Sequence, residues 1–127
     1  MRAVDANVLV RLVAHDDARQ VAAAECFVGK GAWVSHLVLV ETTWVLGTVY
    51  GLTPARVGTA VELLLNHRDL AIQQPEMVAA ALLRSRKKPS VGFSDCLVLE
   101  TARKAGHLPL GTFDRTLSRL DGTERVQ

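Results

Sequence analysis

The sequence predicts an α/β fold: three layers, α/β/α, around a central, mostly parallel sheet of four or five strands. Three observations predict it. Short apolar strand patterns alternate with helix patterns from one end of the chain to the other. No strand pair is joined by a hairpin turn signal, which leaves crossover connections through helices and therefore parallel pairing. Finally, 127 residues with 49% hydrophobic and 22% charged side chains suit one globular domain, residues 1–127, with little room for a second.

The elements follow in order. Arg2–Asp5 reads as a first strand ending on an acid, and Ala6–Ala14 as a short helix. Asp16 and Asp17 supply an N-cap for a helix to about Val28, which Gly29 stops. Ala32–Ser35 is the second strand, and the apolar run His36–Tyr50 is a helix ended by Gly51. Thr53-Pro54 pairs a capping hydroxyl with proline at the first helical position, opening a helix to about Asn66. Leu70–Gln73 is the third strand. The helix opened by Pro75 places Met77, Ala80, Ala81 and Leu83 on an apolar face before a basic cluster. Phe93–Ala105 is a helix stopped by Gly106, Leu108–Gly111 a fourth strand, and Arg115–Leu120 a short helix. The tail Thr123–Gln127 is a candidate edge strand.

Composition narrows the chemistry. Cys26 and Cys96 stand far apart, and His15, His36, His67 and His107 form no ligand spacing, so a zinc site is disfavoured. No apolar run is long enough to span a bilayer, and the start has no signal-peptide pattern, so a cytoplasmic location is expected. A net charge of +2 is too mild to demand a nucleic-acid partner. Its distribution is more informative: Arg84, Arg86, Lys87 and Lys88 cluster, either as cations at a helix C-terminus or as a phosphate-binding rim.

Four acids carry the functional argument. In an open parallel sheet, ligands bind beyond the carboxyl ends of the strands. Asp5 and Asp114 sit at such ends, Glu41 in the helix after the second strand, and Asp95 in the first turn of a later helix. Taken singly, Asp5 and Asp114 can be helix caps and Asp95 a favourable first-turn charge, whereas Glu41 caps nothing. Glu41 and Asp95 interrupt apolar stretches without a basic residue within one helical turn, so their burial requires compensation. Hard oxygen ligands with no Cys or His select Mg²⁺ or Mn²⁺. Asn7, Ser94 and Thr112 are candidates to orient carboxylates or phosphate, with ordinary capping as the alternative. Arg11, Arg86, Lys87 and Lys88 are candidates to position a phosphate backbone.

These blocks, in this order, resemble a known family. Val4-Asp5-Ala6-Asn7-Val8-Leu9 is similar to the opening of PIN domains, and Ser35–Glu41 to their second block. Phe93-Ser94-Asp95 and Leu110-Gly111-Thr112-Phe113-Asp114 are similar to the third and fourth. Thr116 stands where many relatives carry a further acid. The resemblance covers essentially the whole chain and implies that Asp5, Glu41, Asp95 and Asp114 surround Mg²⁺ or Mn²⁺ in an RNA-hydrolysing enzyme. Short PIN proteins of this size resemble VapC toxins, which implies a homodimer and an antitoxin partner.

Two other readings compete. Asp5-x-Asn7 is similar to the start of Asp-nucleophile, haloacid-dehalogenase-like phosphohydrolases, but Asn7 stands where they need a second acid. A non-catalytic binding module, a degenerate PIN-like scaffold or a phospho-receiver, would not need the full acidic set. Trp33 and Trp44 are expected in the core rather than at an interface, with Val38, Trp44 and Val45 able to form either core or a dimer face.

Overall fold

The computed structural model describes residues 1–127 as β1 (Arg2–Ala3), α1 (Ala6–Ala14), α2 (Ala18–Val28), β2 (Ala32–Val34), α3 (His36–Thr48), α4 (Pro54–Leu65), β3 (Leu70–Ile72), α5 (Pro75–Lys87), α6 (Phe93–Ala105), β4 (Leu110–Thr112), a 3₁₀ turn (Leu117–Arg119) and β5 (Thr123–Arg125). Six helices and parallel strands give the mixed α/β class expected. No helix is long and apolar enough to cross a membrane. The chain divides into two compact units, Met1–Pro75 and Glu76–Gln127.

In the first unit β1, β2 and β3 form a parallel sheet in that order, with Arg2 opposite Ala32 and Ala32 opposite Leu70. Four helices start on side-chain caps. Asp5, Asp17, Ser35 and Thr53 accept the backbone N–H of Val8, Gln20, Val38 and Arg56, each three residues on. Each bond satisfies one donor the first helical turn leaves open. Helix α1 packs on α2 and α3, and α3 on α4. Leu9, Val28, Val34, Leu39, Leu46 and Val61 are fully buried.

In the second unit β4 and β5 pair in parallel, Leu110 opposite Thr123 and Thr112 opposite Arg125. Helix α6 starts at Gly92 without a side-chain cap and ends at Gly106, whose left-handed φ of +82° suits glycine. Val78, Ala81, Cys96, Leu97 and Leu99 are buried.

All five strands pair in parallel, three in the first unit and two in the second. The ladder of β4 is satisfied by the tail: Leu110 N–H donates to the Gly122 carbonyl, and Val126 N–H to that of Thr112. Trp33 and Trp44 are not core residues; they are 41% and 63% exposed. Helix α3 spreads its apolar residues around the whole axis, so periodicity could not tell which face is covered. Its outer face carries Leu37, Glu41, Trp44 and Thr48, at helical spacing.

Candidate active site

In the second unit, Asp95 lies in the first turn of α6, two positions after its first residue. The helix dipole there favours a negative charge. The Asp95 carboxyl is nonetheless pushed above the ordinary carboxylate range, first by desolvation and then by the negative charge of Asp114. Asp95 still counts among the exposed residues, so the desolvation is partial. No hydrogen bond or ion pair engages its oxygens.

Asp114 follows β4 and is held by its own turn. Its backbone N–H donates to Thr112 Oγ1 at 3.0 Å, and its Oδ1 accepts the Leu117 N–H at 2.9 Å, heading the 3₁₀ turn. The capping role is therefore real, and it leaves Oδ2 free to act on a ligand. Thr112 is occupied as the acceptor that shapes this turn. Ser94, half-buried, precedes Asp95 in the first turn of α6.

A carboxyl whose ionisation is made costlier by desolvation and by the charge of a second acid, with no basic partner, suits a cation. The structure holds no group of three or more His, Cys, Asp or Glu side chains arranged as a metal cage. Mg²⁺ does not require one: it keeps several waters and is usually held by one or two carboxylates. The donor set of Asp95 and Asp114, all oxygen, fits such an ion. Cys96 beside Asp95 offers no alternative nucleophile, because burial pushes its thiol up to about 11.

In the first unit, Asp5 is exposed and spends Oδ1 on capping α1, accepting Val8 N–H at 3.3 Å. Asn7 is exposed in the first turn of the same helix. Glu41 is exposed as well, which corrects the expectation that it is an acid buried at a cost. Leu37 and Trp44, 84% and 63% exposed, stand four positions before it and three after it on the same face.

Arg11 is committed to structure. Its Nη1 donates to Tyr50 Oη at 2.9 Å and to Asp16 Oδ1 at 3.3 Å, and its Nε donates to Gln20 Oε1. Tyr50 Oη donates in turn to Asp16 Oδ2 at 2.7 Å. The Tyr50 hydroxyl, and to a lesser extent Arg11, holds the Asp16 carboxyl below its ordinary value. Stability from this group is present above the unfolded-state pKa and is lost as pH falls through the depressed folded-state value. Tyr50→Phe is expected to return the Asp16 pKa toward the ordinary range in a carboxyl NMR titration, and to lower the melting temperature slightly at neutral pH.

The basic cluster is divided in the same way. Arg84 Nε donates to Glu100 Oε1 at 3.0 Å, so it is tied down. Lys87 and Lys88 are exposed at the end of α5 and just beyond it, with Arg86 exposed beside them.

Two residues of interest escaped the sequence reading. Phe113 is 74% exposed and held between Thr112 and Asp114. Its neighbour in sequence, the acid, was the available signal. Glu100 is only 8% exposed. Arg103 three positions on was its one local cue, whereas Arg84 is 16 positions away.

A family model described as PIN domain matches residues 2–123, and so runs through both units. Comparison with curated proteins and with solved structures gave no significant match.

Proposed function

The chain belongs to the PIN domain family, whose members are generally metal-dependent nucleases, and from that premise we propose that it is an endoribonuclease using Mg²⁺ or Mn²⁺. The observation that carries the reading is the Asp95–Asp114 pair, in which the Asp95 carboxyl is raised by desolvation first and by the charge of Asp114 second. Asp5 and Glu41 are proposed catalytic residues from the match of their motifs to the family.

A divalent cation, when bound, supplies an acidified water and polarises the phosphoryl oxygen. The residues supply the rest. Asp114, clamped by two hydrogen bonds to its own turn, presents its free Oδ2 as a fixed negative point. Asp95, whose oxygens carry no ion pair, is the carboxylate proposed to orient the attacking water and accept its proton. In-line attack would then leave a 5′-phosphate and a 3′-hydroxyl. Lys87, Lys88 and Arg86 steer the RNA backbone electrostatically, while Asn7, Ser94 and Thr112 orient groups through their own turns.

Phe113 supports single-stranded RNA as the substrate, because an unpaired base can stack on an exposed aromatic ring. Binding measured in an Asp95→Asn background, where RNA stays uncut, is expected to weaken about tenfold on adding Phe113→Ala. Unchanged affinity would remove Phe113 from the RNA path.

The exposed Leu37 and Trp44 around Glu41 support a protein partner. We read the chain as a VapC-like toxin of a toxin–antitoxin pair, a cytoplasmic homodimer restrained by its antitoxin. The test of activity is incubation with a mixed RNA pool and Mn²⁺, followed by mapping of the product ends. Cleavage that stops on chelation and is abolished by Asp5→Asn is expected. Full cleavage by a purified Asp5→Asn protein would exclude the assigned role for Asp5.

A further inference from the structure

We propose that Glu100 is a positioning residue: with Arg84 and Arg103 it forms a half-buried clasp that fixes Asp95 on α6 in relation to Asp114 beyond β4. The proposal rests on the reading of that pair as the cation site, and it concerns how their spacing is held.

Glu100 is the one acid in the buried set of the chain. A buried carboxylate is costly unless paired and hydrogen-bonded. Glu100 has two partners on opposite sides. Arg84 from α5 donates Nε to Oε1 at 3.0 Å. Arg103, one turn on along α6, places Nε 3.9 Å from Oε2. That Nε is buried and makes no hydrogen bond, so the charge of Glu100 is what offsets its burial.

The other end of Arg103 reaches a different element. Its Nη2 donates to the Asp121 carbonyl at 3.1 Å. Gly122 follows with φ +90°, and a Cβ there would lie 2.9 Å from that Nη2. Glycine at 122 thus serves both the left-handed backbone and the close passage of the guanidinium. From Gly122 the connection runs directly to the acid. Its carbonyl accepts Leu110 N–H at 2.9 Å, opening β4, and β4 pairs with β5 as far as Thr112. Thr112 Oγ1 then accepts the Asp114 N–H at 3.0 Å. On the near side, Asp95 is carried by the same helix as Glu100 and Arg103. Every link between the two carboxylates is therefore helix, strand ladder or hydrogen bond. Partners behind ligating groups commonly change metal affinity by 10- to 100-fold when lost.

The test uses the full-length chain and Mn²⁺ alone, with free Mn²⁺ followed by electron paramagnetic resonance. Glu100→Gln and Arg103→Lys are each expected to weaken Mn²⁺ binding on the order of tenfold. Arg103→Lys keeps the net charge and loses the fork, so it remains informative if Glu100→Gln does not fold. Introduced into Asp114→Asn, where no pair spacing is left to hold, each is expected to change affinity less than twofold. Affinity within twofold of the parent in folded Glu100→Gln and Arg103→Lys would overturn the proposal. So would the same tenfold loss in the Asp114→Asn background, which would mark a general effect of charge or stability. If Asp95→Asn and Asp114→Asn themselves leave Mn²⁺ binding intact, the metal reading falls. If they weaken it and the clasp variants do not, the clasp alone falls.

Discussion

Asp95→Asn is expected to slow RNA cleavage by at least about a hundredfold, the lower range for loss of a positioned base, while the chain stays folded. The substitution keeps the shape of the side chain and removes its charge and its proton-accepting oxygen. It also has a stability signature that separates it from a damaged fold. The folded-state pKa of Asp95 is raised, by desolvation first and by Asp114 second. Its ionised form is therefore disfavoured in the folded state. The contribution of this group is fully present below the unfolded-state pKa and is lost as pH rises through the raised folded-state value. At neutral pH the charged Asp95 opposes folding of the metal-free protein. Asp95→Asn should then hold or slightly raise the melting temperature at pH 7, with the difference vanishing under acid conditions. A calorimetric scan with chelator at both pH values measures it. Loss of activity together with a lower melting temperature at pH 7 would assign the loss to the fold instead.

The second large effect concerns the helix that carries Glu41. Leu39→Ala is expected to destabilise the protein by about 2–5 kcal/mol, read from chemical denaturation. Leu39 is 1% exposed on a helix that packs on α1 and α4, so the deleted atoms leave a cavity in the core. Leu37, two positions earlier, is 84% exposed. Leu37→Ala should change stability by only about 0.5 kcal/mol or less in the isolated chain. The contrast between two leucines on one helix checks which face is buried. Equal losses would mean that the outer face is covered too.

Local chemistry was legible in the sequence. Asp17 and Thr53-Pro54 mark helix starts because a side-chain oxygen three residues before an open N–H is a short-range event. Gly106 marks a helix end for the same kind of reason. The burial of α3 was not legible. A helix whose apolar residues surround its axis gives no period to read, so Trp44 is expected inward and Glu41 is credited with a burial cost it does not bear. Ladder partners were not legible either: nothing in Leu110–Thr112 says that its hydrogen bonds go to residues 123–125 rather than to another strand. The acids Asp95 and Asp114 stood out through sequence order, yet the same order could not show that Asp114 spends one oxygen on the Leu117 N–H. Arg11 shows the limit most clearly. It is a sequence candidate for positioning the RNA backbone, and its ties to Asp16, Gln20 and Tyr50 exist only in three dimensions. Arg84, bound to Glu100, is a second cation of that kind.

The measurement that bears most directly on the nuclease reading is the rate of RNA cleavage as a function of Mn²⁺ concentration, for the parent protein and for Asp114→Asn. The parent should be inactive in chelator and saturate with added Mn²⁺, while Asp114→Asn should need on the order of tenfold more Mn²⁺ to reach half of its own maximum. Cleavage that persists in chelator, or the same Mn²⁺ midpoint for both proteins, would contradict a cation held by this pair.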